Sequence, residues 1–268
     1  MGTLPVIARA AKHFWEEPCI SGTLGSGAVF FSGCPLKCIY CQNHEISIDN
    51  FGKEINISRL REIFQELIDD GIHNINLVNP THFATSISIA LEPKLSVPIV
   101  YNSSGYEEIN TLKLLNGKID IYIPDMKYSI NSVAKKYSNA FDYPSVAKKA
   151  IYEMFEQTGA YKIDDYGIMQ SGVIIRHLIL PENIKNSFGV IDWVAKTFPR
   201  RSILFSLMSQ YTPINKNCEY SELNRRITQK EYNEVEQYLF DSGIEDGFMQ
   251  DLSSSKSQYI PCFDLTGV

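Results

Sequence analysis

Short β-branched runs alternate with stretches of helical spacing along most of this 268-residue chain, and that alternation leaves few folds open. Leu60, Ile63, Phe64, Leu67 and Ile68 share one face of a helix, and Ile72–Val78 follows at once, short and apolar on alternate positions. Ser58 reads as the N-cap of that helix and Gly71 as its stop. The pattern recurs with strands over Gly27–Ser32, Val97–Tyr101, Ile119–Ile123, Gly172–Leu180 and Ser202–Met208. Helices are predicted over Ala84–Leu91, Glu107–Leu115, Ser132–Tyr137, Ser145–Gln157, Ile184–Lys196 and Gln229–Phe240. About six βα units result, and apolar strands joined by helical crossovers build a parallel sheet covered by helices. A closed barrel needs about eight such units, so the expected α/β fold is a partial barrel, with a doubly wound open sheet as the alternative. No linker rich in Gly, Ser or Pro divides the chain. Residues 25–250 therefore read as one domain, 1–24 as an N-terminal extension and 251–268 as a tail packing on the barrel.

Hydrophobic content of 44% with 21% charged residues describes an ordinary globular chain. A formal charge of −6 excludes a broad nucleic-acid-binding surface, and Arg225-Arg226 reads as a solvated face. Lys12 and Glu16-Glu17 interrupt the start of the chain, and no apolar run reaches the roughly 18 residues of a membrane span, so the expected location is the cytoplasm, with no membrane partner. Cys19, Cys218 and Cys262 are isolated, as suits a reducing compartment.

The other three of the six cysteines, Cys34, Cys38 and Cys41, are spaced C-x3-C-x2-C on the loop after the first predicted strand of the barrel. Three thiolates so close imply a metal site whose fourth position is open, either one iron of a cubane cluster or a tetrahedral metal. A Cys3His zinc site closed by His44 is the second reading. Zinc modules staple small, core-poor units, whereas this loop follows an apolar strand in a long chain, which favours the cluster. Ligands of parallel barrels gather at the carboxyl ends of strands. Those ends here carry Asn79-Pro80-Thr81, Asn102-Ser103-Ser104-Gly105, Asp125-Met126-Lys127 and Ser209-Gln210-Tyr211. Arg176 and His177 lie inside an apolar strand, where alternation points them to opposite faces. His13, His73 and His82 read as structural, and Met126 and Met208 as filler.

With these motifs the chain resembles the radical SAM superfamily, whose partial (β/α)6 barrel holds a [4Fe–4S] cluster on C-x3-C-x2-C with an aromatic residue, here Tyr40, before the last cysteine. Trp15-Glu16-Glu17-Pro18-Cys19-Ile20-Ser21-Gly22-Thr23, Cys41-Gln42-Asn43, Asn79-Pro80-Thr81-His82 and Ile175-Arg176-His177-Leu178 are similar to one subgroup, the homologues of pyruvate formate-lyase activating enzyme. The resemblance implies an oxygen-sensitive enzyme that binds S-adenosylmethionine (SAM) at the open iron and cleaves it reductively. The product is a 5′-deoxyadenosyl radical that takes hydrogen from a substrate. Tyr40 would border the adenine. Asn79 and Thr81 stand where many members have Gly-Gly-Glu for the methionyl amino group. Asn102-Ser103-Ser104-Gly105 and Asp125-Met126-Lys127 match the subgroup's Asp-Thr-Asn-Gly and Asp-Leu-Lys. In that subgroup, oxygens equivalent to those of Asn102, Ser103 and Asp125 hold a monovalent cation beside the SAM carboxylate, and Asn102 in place of an acid weakens that charge. Arg176 or His177 would contact the ribose or the carboxylate. The implied partners are an electron donor such as flavodoxin or ferredoxin and a protein, peptide or small-molecule substrate, a glycine of a glycyl radical enzyme among them. Tyr259, Phe263 and Leu265 make the tail apolar enough to fold over the barrel mouth.

Overall fold

The computed structural model describes residues 2–213, 219–250, 252 and 261–268. In chain order its elements are β1 (Val6–His13), α1 (Pro18–Ser21), β2 (Ser26–Phe31), α2 (His44–Ser47), β3 (Lys53–Glu54), α3 (Ile57–Asp69), β4 (Ile75–Val78), α4 (Ala84–Ala90), β5 (Ile99–Ser103), α5 (Ile109–Leu114) and β6 (Ile121–Pro124). There follow α6 (Asn131–Ser138), α7 (Tyr143–Thr158), β7 (Lys162–Ile163), β8 (Met169–Leu178), α8 (Ile184–Thr197), β9 (Leu204–Met208), α9 (Gln229–Asp241) and β10 (Gly247–Met249). They share one ten-stranded sheet of order β10-β9-β8-β6-β5-β4-β2-β1-β3, with β7 paired to β8 off that path.

From β2 to β10 the neighbours on the path are parallel and follow chain order. A doubly wound sheet reverses direction at a switch point; this one does not, so its crossovers all wind one way and lay the helices on one face. The fold is the expected partial α/β barrel. On the helix side, Ile75, Leu77, Tyr101, Tyr122, Ile175 and Phe205 pack against helical residues that include Leu60, Phe64, Ile87, Leu112, Ile151 and Val190. Val100, Ile121, Ile123, Ile174 and Leu204 face the other way, into the concave side, where Cys19 and Ile20 of α1 cover them. Burying each such aliphatic side chain contributes roughly 1.5–3 kcal/mol.

Helix α3 buries Leu60, Ile63, Phe64 and Leu67 as the spacing requires, but its N-cap is Asn56, whose side chain accepts from the Arg59 amide at 2.8 Å. Ser58 lies inside the first turn instead. The chain turns out of α3 at Gly71, with φ 76°. Residues 6–13, placed by the sequence in an extension, form β1, antiparallel on β2. Its Ala-rich, charged run owes its strand state to that pairing. At the other end Leu265 N donates to Ala8 O at 3.0 Å and Ala10 N to Thr266 O at 2.8 Å, so residues 261–268 run along β1. Phe263 meets Phe30 edge-on there, with ring centroids 5.5 Å apart. Tyr259, Ile260 and Cys218 lie outside the described residues. Among the described residues no helix is long and apolar enough to cross a membrane.

Candidate functional site

The cysteine loop leaves β2 through Gly33, whose φ of 84° turns the chain back over the strand ends. Helices on either side fix the loop. Gly33 N donates to Ile46 O at 2.7 Å and Cys34 N to Ser47 O at 3.2 Å, while Ile39 N reaches Tyr137 O at 3.0 Å at the end of α6. Asn79 holds the turn from β4: its side-chain amide donates to Gly33 O at 2.5 Å, and its own φ of 59° is one that Asn tolerates better than most residues. Cys34, Cys38 and Cys41 then line one cavity of about 300 Å³. The buried Ser138 hydroxyl donates to Cys38 Sγ at 2.9 Å, and Ser47 Oγ lies 3.2 Å from Cys41 Sγ. Burial, reinforced by neighbouring Cys38, pushes the Cys34 thiol up to about 12, and burial raises Cys38 as well. A metal bound here therefore displaces protons from both.

His44 does not join them. It lies outside the cavity lining, half exposed, with Nδ1 3.0 Å from Asp49 Oδ2. Among the described residues no group of three or more His, Cys, Asp or Glu side chains converges on a point that one ion could fill. A cubane would ask each cysteine for a different iron, and so does not need the three sulfurs to meet at one point.

Across the cavity stand Asn79, Asn102, Ser103, Ser104, Asp125, Lys127 and Arg176, from the ends of β4, β5, β6 and β8, and Tyr40 lines it from the loop. Lys127 Nζ is paired with Asp125 Oδ2. Burial opposes the charge of Lys127, yet the Asp125 carboxylate together with Cys38 and Tyr143 holds the ammonium well above its ordinary value. This ion pair places a cation where the sequence suggested a monovalent ion. Among the described residues Ser104 Oγ, buried beside the cavity, has no hydrogen-bond partner.

Two of the sequence candidates point elsewhere. Thr81 Oγ1 donates to Glu107 Oε1 at 2.7 Å and does not line the cavity, because the 3-10 turn Thr81–Phe83 carries it outward. His177 faces the helices, fully buried, with Nδ1 2.7 Å from Met126 O and Nε2 2.9 Å from Ser187 Oγ. A carbonyl only accepts, so Nδ1 carries the proton and Nε2 accepts from Ser187. Burial pushes His177 down to about 4, and the ring stays neutral.

Other polar groups escaped the sequence reading. Arg176 is held inside the concave face by Glu16 and by Glu17, whose Oε1 accepts from Nε at 2.8 Å. Burial works against the charge of Glu17, but the guanidinium keeps its carboxyl below the ordinary range. Glu16 Oε1 also accepts from Asn76 at 2.9 Å and Asn102 at 3.2 Å, which ties the N-terminal segment to the middle of the sheet. Glu107 accepts from Thr81 and, at 3.2 Å, from Tyr101, and burial pushes it up to about 7. The motif Trp15-Glu16-Glu17 was visible, but not its partner; Ser104 stood in a strand-end motif, and nothing local marked Glu107 or Ser138.

A family model described as a 4Fe-4S single cluster domain matches residues 21–123, a span that contains all three cysteines of the loop. The chain is 30% identical over 238 residues to MJ0674, an uncharacterized protein of Methanocaldococcus jannaschii, covering 85% of this chain and 64% of the relative's length. Streptococcus suis SuiB bound to S-adenosylmethionine superposes with a TM-score of 0.53 at 13% identity, over 87% of this chain and 48% of that one. Spore photoproduct lyase, as its C140A mutant, gives a TM-score of 0.53 at 12% identity, over 82% of this chain and 74% of the lyase. At these identities the likeness is one of fold.

Proposed function

We propose that this chain is a radical SAM enzyme. The observation that carries the reading is that three cysteines on the loop after β2 line one cavity with the polar ends of β4, β5 and β6. Cys34, Cys38 and Cys41 would hold a [4Fe–4S] cluster and leave one iron open for SAM. Bound there and reduced, the pair supplies a 5′-deoxyadenosyl radical for hydrogen abstraction. The protein's own contribution is placement and shielding. Lys127 and Asp125 present both charges to a zwitterionic methionyl group, the Ser104 hydroxyl offers it a hydrogen bond, and Asn102 Oδ1 accepts from Arg176 Nη1 at 3.4 Å beside them. Tyr40, buried at the cavity wall, borders the adenosine with Tyr211 and Met208. Such a wall keeps water from a radical.

The substrate side of the reading is a peptide or protein, a glycine of a glycyl radical enzyme being its narrowest form. Its support is fold-level: SuiB has also been seen bound to its precursor peptide SuiA, at a TM-score of 0.56 and 12% identity. A flavodoxin or ferredoxin would supply the electron.

Anaerobic reconstitution followed by incubation with SAM and a strong reductant tests the enzyme. Release of 5′-deoxyadenosine and methionine is expected, dependent on all three components. SAM left intact, or turned only into S-adenosylhomocysteine, would sink the reading. For the substrate, deuterium should pass from labelled peptide or protein into 5′-deoxyadenosine; transfer from a free metabolite alone would overturn that part.

A further inference from the structure

Behind Cys38 runs a line of hydroxyls that no step above uses. Ser138 Oγ donates to Cys38 Sγ at 2.9 Å, Tyr128 OH lies 2.7 Å from Ser138 Oγ, and Tyr40 OH lies 2.6 Å from Tyr128 OH. All four residues are buried. Resting on the cluster reading, the directions of these bonds are fixed by counting protons. A sulfur bound to iron carries none and only accepts. Ser138 has one proton and gives it to sulfur, so it must accept from Tyr128; Tyr128 has then spent its own and must accept from Tyr40. Every O–H dipole points the same way, from the cavity wall toward Cys38, and aligned hydrogen bonds polarise one another in a low-dielectric interior. Among the described residues Cys41 Sγ has a single hydroxyl beside it, Ser47 Oγ, with no such line behind it, so a cluster held here would be solvated unevenly by the protein.

We infer that Ser138, backed by Tyr128 and Tyr40, is a positioning residue that raises the reduction potential of the cluster held on Cys38. Hydrogen bonds to cluster sulfurs favour the more negative, reduced state, because positive ends of dipoles face the added charge. Tyr40 also lines the cavity, so the line joins the ligand site to the sulfur.

Redox titration of the reconstituted protein, followed by the electron paramagnetic resonance of its reduced cluster, measures the effect. Ser138→Ala should lower the midpoint, by on the order of a tenfold change in the reduction equilibrium, about 59 mV for one electron. Tyr128→Phe should move it the same way by less, and Ser138→Thr should restore it. Ser145→Ala, on an exposed hydroxyl of α7 bonded to Asp142 O, should leave it where it was. Electron–nuclear double resonance on the wild type should also show an exchangeable proton coupled to the cluster that disappears in Ser138→Ala. Should Ser138→Ala fail to hold a cluster, Tyr128→Phe and the wild-type proton signal decide. An unchanged midpoint in Tyr128→Phe, or no exchangeable proton in a wild type that does carry the cluster, overturns this inference and leaves the enzyme reading standing. A wild type without iron overturns both.

Discussion

Each of the three loop cysteines ends in one sulfur, and the proposed site has none to spare. Cys34→Ala, Cys38→Ala and Cys41→Ala should each cut iron from about four per chain to near zero after anaerobic reconstitution, measured by iron and sulfide assay. His44→Ala, Cys19→Ala and Cys262→Ala should keep the full content. Iron retained in Cys38→Ala, or a zinc lost with His44, would defeat the assignment. Glu107 invites a different measurement. Its carboxyl is raised by burial from 4.5 to about 7, so the folded chain holds a proton that the unfolded chain releases at lower pH. That contribution to stability is complete below about 4.5 and is lost as pH rises through about 7, on the order of 3 kcal/mol in all. Glu107→Gln should therefore stabilise the protein relative to wild type at pH 8 more than at pH 5, read from urea unfolding. An equal difference at both pH values would rule out a buried acid with a raised value. Neither Glu107 nor Ser138 was legible in the sequence, because each matters through neighbours that only the fold supplies. The cysteines were legible because their ligand set is local.

At the level of elements, the strand ends depend on close approaches that local sequence does not show. Gly105 turns the chain out of β5 with φ +73°, and a Cβ there would stand 2.3 Å from Asp125 O at the end of β6. Gly105→Ala should cost about 2–3 kcal/mol by thermal unfolding, since strain and a backbone clash add. Gly117→Ala, at φ +77° with no atom within 4 Å of the new methyl group, should cost about 1 kcal/mol. Equal losses at the two sites would show that the clash at Gly105 is relieved by small shifts. The parallel strands were readable from β-branched runs, whereas β1 was not. Its Ala-Arg-Ala-Ala-Lys stretch becomes a strand only because β2 lies alongside. Alternation told that Arg176 and His177 part company, yet only the sheet's curvature decides which enters the concave face.

Over the whole molecule, the N-terminal segment closes the concave face from below with Glu16, Glu17 and α1. Removing Arg176 leaves those two carboxylates buried without their cation, so Arg176→Met should cost about 3–5 kcal/mol in urea unfolding. Adding Glu16→Gln and Glu17→Gln should recover much of the loss; a triple variant no better than the single one would mean that the cluster of charges is not what Arg176 serves. These partners lie 159 and 160 residues apart in the chain. At the 5–20 residues per second of translation, roughly 8–30 s separate the emergence of Glu17 from that of Arg176. The cysteine loop leaves the ribosome early in that interval, before Ser138 and the rest of α6 exist to cover it. A nascent chain therefore leaves those sulfurs uncovered for many seconds before α6 can enclose them, an interval in which the proposed cluster site stands open to any metal that thiolates bind.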